Sequence, residues 1–185
     1  MKIANHKRYL PHALAALLLM AGGATEAFAQ VSTVNVTGNI TGECRITGGT
    51  SLTIPLGDVP VSSFAGVGTP STTAGMQNIT LTCTASPGIR MTMSGTQNAD
   101  LPTNTTLLAL TGAGGAGVAR GAAVQLLYST ATTGTPTTVL VRNGAVTIPT
   151  GTTVTVRVGA RYVQTLATMV AGTANTTATL TFTIN

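Results

Sequence analysis

No tryptophan occurs in this chain, no histidine follows His12, and no lysine follows Lys7. Charged residues are sparse at 7%, and aromatics make up 3%. Beyond Ala29 the acids are Glu43, Asp58 and Asp100, and the bases are the scattered Arg45, Arg90, Arg120, Arg142, Arg157 and Arg161. With no His, no Lys and no carboxylates close together in sequence, an acid-base or nucleophilic site has few candidate groups. No catalytic residue, cofactor-binding residue or metal ligand is therefore assigned, and no enzyme is expected. Single arginines without interleaved aromatics make a poor surface for nucleic acid, so no such partner is expected either.

Long hydrophobic runs are also missing. The longest, Ala13 to Ala21 (ALAALLLMA), has nine residues, well short of the ~20 that cross a bilayer as a helix. It follows Lys2, Lys7 and Arg8 and precedes Ala27-Phe28-Ala29, the order of a secretory signal peptide with an A-x-A cleavage site. Residues 1–29 are read as that signal, leaving a mature chain from Gln30 with no membrane span. Its length suits one domain with a real core. Cysteine is nearly absent as well: Cys44 and Cys83 are the only two. An even pair in an exported chain points to a disulfide before a catalytic or metal-binding role.

What is present is Thr, Gly, Val and Ala, arranged in short alternating runs between Gly, Pro, Ser and Asn clusters. Period-two alternation places successive side chains on opposite faces of a strand, so the class is all-β. Ser32 to Ile40 alternates, with Val34, Val36, Gly38 and Ile40 on one face, and the pattern continues through Cys44 to Ile46. Leu52 to Leu56 is a short segment that Pro55 confines to an edge or bend, and Pro60 to Gly75 reads as loop. Ile79, Leu81 and Cys83 form an inward face; after a Pro87-Gly88 turn, Ile89, Met91 and Met93 form another. Asn98 to Thr105 reads as polar loop. Leu107–Leu110, Ala123–Tyr128, Thr138–Val141 and Ala145–Ile148 are predicted strands. Val154, Val156, Val158, Ala160 and Tyr162 make the longest internal alternation, and Thr165 to Ala171 is a loop. Finally, Gly172, Ala174, Thr176, Ala178, Leu180, Phe182 and Ile184 alternate with Thr and Asn to the C-terminus. The spacing predicts a sandwich of two sheets with six or seven strands.

Three motifs read more simply than their patterns suggest. Gly112-Ala-Gly114-Gly-Ala-Gly117 matches G-x-G-x-x-G, but no carboxylate follows Asp100 to hold a ribose and the next regular segment reads as strand. It is taken as a loop and not a phosphate cradle. Leu101-Pro-Thr-Asn-Thr105 departs from a sortase signal, and a mature chain without lysine has no acceptor for an isopeptide bond. The N-x-T triplets at Asn35, Asn39, Asn78, Asn104 and Asn175 are expected from a chain this rich in Thr and Asn.

Five features in order resemble the fimbrial (pilin) subunits of chaperone-usher pili, type 1 fimbria-like. Val34-x-Val36-x-Gly38-x-Ile40 before Cys44 looks like the donor-strand segment. Cys44 and Cys83 match the family's disulfide. Gly121-Ala-Ala-Val-Gln-Leu-Leu127 and Gly159-Ala-Arg-Tyr162 resemble two internal signatures. Gly172 matches the glycine that opens the terminal strand, fourteenth from the end. The resemblance implies an incomplete immunoglobulin-like sandwich of six strands, with residues 30–41 as an N-terminal donor extension and 42–185 as the pilin domain. The donor residues would be Ser32, Val34, Val36, Gly38 and Ile40. The acceptor and chaperone-binding strand would carry Gly172, Ala174, Thr176, Ala178, Leu180, Phe182 and Ile184. Implied partners are identical or related pilin subunits, a periplasmic chaperone and an outer-membrane usher, with export through the periplasm to a cell-surface fimbria that supports adhesion. The alternative is a ligand-binding fimbrial adhesin or a secreted sugar-binding β-sandwich. An adhesin of this system usually carries an additional N-terminal domain, for which a mature chain of this length is expected to have no room.

Overall fold

The computed structural model describes Thr37 and residues 42–185. The expected signal peptide and the donor positions Ser32, Val34, Val36, Gly38 and Ile40 lie outside the described residues. The chain divides into units 1–39 and 40–185, and the architecture below is that of the second.

Nine strands occur among the described residues: β1 (Cys44–Gly48), β2 (Pro70–Cys83), β3 (Ile89–Gly95), β4 (Leu107–Leu108), β5 (Ala122–Ser129), β6 (Thr138–Val139), β7 (Ala145–Ile148), β8 (Thr153–Gln164) and β9 (Ala178–Ile184), with a single 3-10 turn at Val61–Ser63. They form two sheets. The larger runs β1-β2-β8-β5-β4, with β6 also on β5; the smaller runs β7-β3-β9. Every strand pairing is antiparallel. The all-β, two-sheet class expected from the sequence is the class observed.

The core follows the alternation. Ile79, Leu81 and Cys83 on β2, Val154, Val156, Val158 and Ala160 on β8, and Val124 and Leu126 on β5 meet Ile89, Met91 and Met93 of β3 and Ile148 of β7 in one buried cluster. The three inward residues of β3 are completely buried. β5 is covered on both sides, because Ala123 joins a second small cluster with Leu107 and Val163, which is why its sequence (AAVQLLYS) is nearly continuous and not alternating. Cys44 stands directly opposite Cys83 in the β1–β2 register, and the two form the expected disulfide.

Several boundaries differ from the sequence expectation. β2 begins at Pro70, inside the stretch read as loop. Its first residues lack apolar alternation and are held by pairing to β8, Pro70 opposite Val163 and Ala74 opposite Arg161, with an irregularity between them. A proline is tolerated at the first position of a strand because no ladder donor is required there. β4 and β6 are two residues long, shorter than predicted, because the chain leaves the larger sheet at both places. Leu107 and Leu108 pair with β5, yet the Ala109 N–H already bonds the Thr96 carbonyl just past β3. Likewise the Leu140 N–H bonds Leu126 of β5, and two residues on Arg142 bridges Met93 of β3.

Candidate functional site

The terminal segment is a strand over only half of its alternating length. Ala178–Ile184 pairs with β3 from Gly95↔Ala178 to Ile89↔Ile184; Gly172 is a bend, and the residues from there to Thr177 belong to no strand and lie against a neighbouring loop. A Cβ on Gly172 would lie 2.6 Å from the Ala119 nitrogen and 2.7 Å from the Gly117 carbonyl, so only glycine admits that approach. The Thr173 N–H then bonds the Gly117 carbonyl at 2.8 Å, the Thr111 N–H bonds the Asn175 carbonyl at 2.7 Å, and the Thr176 hydroxyl bonds the Ala109 carbonyl at 2.6 Å. The Tyr162 hydroxyl donates to the Ala174 carbonyl at 3.0 Å. Gly112, Gly114 and Gly117 all have positive φ. The glycine motif thus builds the turns of a loop against which the terminal segment docks, and the next element is a strand.

Among the described residues β9 is an edge strand of the smaller sheet, paired with β3 on one side. On its inward face Ala178, Leu180 and Phe182 are half-buried, and Ile184 is 37% exposed. The equivalent residues of the adjacent strand, Met93, Met91 and Ile89, are wholly buried. The contrast marks a face whose cover is incomplete. Thr179, Thr181 and Thr183 on the other face are exposed.

Opposite β9 lies the segment Leu52 to Leu56. It has strand-like burial, with Leu52, Ile54 and Leu56 turned toward the core and Thr53 and Pro55 exposed, but belongs to no strand. It is pressed onto β2: a Cβ on Gly75 would lie 2.5 Å from the Pro55 carbonyl and 2.8 Å from Ile54 Cγ2. Between these banks runs a groove of about 860 Å³, floored by Ile79, Val124, Leu126, Val158, Ala160 and Tyr162. Every even position from Ala174 to Phe182 lines it; Gly172 and Ile184 lie beyond its two ends. The sequence singled out the β9 bank. It did not single out the Leu52–Leu56 bank, whose signal was the alternation interrupted by Pro55.

Asp58 borders the groove, Asp100 accepts a hydrogen bond from the Thr165 hydroxyl at 2.5 Å, and no group of three or more His, Cys, Asp or Glu comes together among the described residues. No helix among them is long and apolar enough to cross a membrane.

The fimbrial protein family matches residues 31–185 of this chain. No significant match was found among curated protein sequences. Among solved structures, a type I fimbria protein and antigen of Burkholderia pseudomallei is 28% identical with a TM-score of 0.51, the match covering 80% of this chain and 90% of that one. The CupB6 tip adhesin from Pseudomonas aeruginosa is 23% identical with a TM-score of 0.56, over 76% of this chain. This chain spans only 38% of that adhesin's length. A chaperone-usher pilus subunit, from a structure describing rod uncoiling, shares the fold at 15% identity and a TM-score of 0.54, over 85% of this chain and 97% of that one. An all-β sandwich with an inter-strand disulfide, matched across nearly all of its length beyond the expected signal, this chain belongs to the fimbrial protein family of chaperone-usher pili.

Proposed function

We propose that this chain is a structural fimbrial subunit that polymerises by donor-strand exchange, the groove beside β9 accepting a strand from outside the chain. A periplasmic chaperone fills it first. At an outer-membrane usher, Ser32 to Ile40 of the next subunit then replaces the chaperone strand, with Val34, Val36 and Ile40 facing the floor and Gly38 admitting close backbone approach. The carrying observation is that, among the described residues, β9 pairs only with β3 and its apolar face is incompletely covered. An edge of this kind needs hydrogen-bond partners, and covering a large apolar side chain there stabilises the assembly by roughly 1.5–3 kcal/mol.

The direction of insertion decides between a fibre and a closed pair. Gly42 lies against Pro87, and Gly88 against Asn185, so the described domain begins, at Gly42, beside the Asn185 end of its own groove. A donor running antiparallel to β9 brings its Ile40 to the Gly172 end, and its own domain lies beyond that end. The contact is then head-to-tail and the chain of subunits stays open. A parallel donor would bring two equivalent ends together and close a pair.

Deleting residues 30–41 of the mature chain removes the donor and keeps the groove. The deleted subunit is expected to accumulate bound to chaperone and to form no fibres by electron microscopy. Fibres built from the deleted protein alone would overturn the reading, and a stable chaperone-free monomer that binds glycans would replace it with a sugar-binding module.

A further inference from the structure

Three of the large exposed apolar side chains sit on neighbouring loops at the end of β8. Val67 is 49% exposed, Leu166 41% and Val170 51%. All three sit on short loops held from both sides. The Gly68 N–H bonds the Gln164 carbonyl at 2.8 Å and the Gln164 N–H bonds the Thr69 carbonyl at 3.0 Å, fixing Val67 beside the end of β8. Arg120 and Val170 exchange two backbone hydrogen bonds, each 3.0 Å. A Cβ on Gly121 would lie 3.1 Å from the Leu166 Cβ, which closes the gap between those loops. Val170 is two residues from Gly172, so this apolar end borders the far mouth of the groove.

We propose that this end is a preformed seat for a second copy of the chain, contacted by the end of that copy that carries its Cys44–Cys83 disulfide. The inference rests on the donor-strand reading and adds to it a contact outside the groove. The argument is one of tether length. From Ile40 to Cys44 the backbone spans at most about 14 Å when fully extended. Gly42 is already packed on its own domain, where its Cβ position lies 3.3 Å from the Ala85 Cβ and 3.5 Å from the Pro87 side chain. Thr41 is therefore the one residue between a donor strand ending at Ile40 and the folded body behind it. A link that short cannot hold two domains apart. When a donor strand fills the groove antiparallel to β9, the neighbour's Ala85 and Pro87 are drawn onto the far mouth, where Val67, Leu166 and Val170 stand. Covering these side chains removes apolar surface from water and sets the angle between successive subunits.

The test separates seat from groove by using two donors, the full mature chain and a synthetic peptide of residues 30–41, which has no domain behind it. The mature chain refolded alone gives oligomers; refolded with excess peptide it gives peptide-capped monomers. With Leu166→Asp and Val170→Asp together, oligomers diluted into excess peptide are expected to dissociate at least about tenfold faster than wild type. The rate at which labelled peptide leaves the capped monomer should stay within about twofold. Leu166→Ala with Val170→Ala provides a charge-free pair with a smaller acceleration, should the aspartates impair refolding. Equal oligomer lifetimes for wild type and both pairs would overturn the seat and leave strand exchange standing. Equal acceleration of peptide loss would overturn it too, because the patch would then act on the groove. A wild-type chain that captures no peptide would remove the donor-strand reading and the seat with it.

Discussion

Tyr162 is the residue that ties the terminal segment to the core. Its ring forms part of the groove floor, its hydroxyl holds the Ala174 carbonyl at 3.0 Å, and burial pushes its ionisation above the ordinary value of 10.0. The folded state therefore keeps the phenolic proton at pH values where the unfolded chain releases it. By linkage, its contribution is complete below pH 10.0 and is lost as pH rises through the folded value. Urea midpoints measured across alkaline pH should fall above that point. Tyr162→Phe should lower stability at neutral pH by about 1 kcal/mol, the net value of one such hydrogen bond, and should flatten the alkaline loss; an unchanged alkaline slope would count against this role. The disulfide acts at the same scale through the unfolded state. Linking residues 39 apart in sequence stabilises the fold by about 4 kcal/mol in the chain-entropy model. The tyrosine and the disulfide differed in how far the sequence revealed them. Cys44 and Cys83 were recognisable as an isolated pair in a chain read as exported. Tyr162 showed as the end of an alternating run and of one signature of the resemblance, but its bond did not, because the partner is the backbone carbonyl of Ala174, which no side-chain pattern announces.

At the scale of elements, the groove depends on the Leu52–Leu56 bank staying against β2, and Gly75 is the point of closest approach. A side chain there meets the Pro55 carbonyl, a backbone atom that cannot rotate aside. Gly75→Val should therefore lower thermal stability by roughly 1–3 kcal/mol, as overpacking does. Gly48→Ala is the control: its Cβ would meet Thr80 at an ordinary 3.8 Å, and its effect should stay within about 0.5 kcal/mol. Similar losses for the two variants by calorimetry would show that the bank is not anchored at Gly75. Legibility at this scale follows the covering of each strand. β2 from Ile79, β3, β7 and β8 were readable because one face of each is dry and the alternation reports it. The start of β2 at Pro70 was not, because Pro-Ser-Thr-Thr meets β8 in register only at Pro70, ahead of an irregularity that ends at Ala74, and carries no apolar pattern of its own. Gly172 to Thr177 misled in the opposite sense. Its alternation continues that of β9, but alternation reports only which side chains turn inward. It cannot distinguish a strand paired with β3 from a loop segment bonded to Gly117 and Ala109.

For the whole molecule, the consequence of the proposed exchange is that giving and receiving a strand use separate parts of one chain, so each can be removed alone. The two-sheet architecture was legible from alternation. A groove awaiting an outside strand is implied only by the family resemblance, since which edge lacks a partner depends on contacts between distant segments. Leu180 is the position at which to uncouple the two roles. It pairs across from Met93, is half-buried and lines the groove, so a glutamate there can reach water while the groove is open. Once a donor covers the groove the carboxylate is buried without a partner, a desolvation that costs several kcal/mol. Leu180→Glu should thus leave residues 30–41 free to insert into another subunit while refusing insertion itself. Mixed with wild-type mature chain during refolding, it should end each growing fibre at which it arrives, and mean fibre length by electron microscopy should fall as its fraction rises. The same substitution in a chain lacking residues 30–41 should be inert, because that protein can neither give nor receive. If wild-type fibres keep their length in an equimolar mixture with Leu180→Glu, the inward face of β9 is not the receiving surface, and the asymmetry that keeps the polymer open must lie elsewhere on the domain.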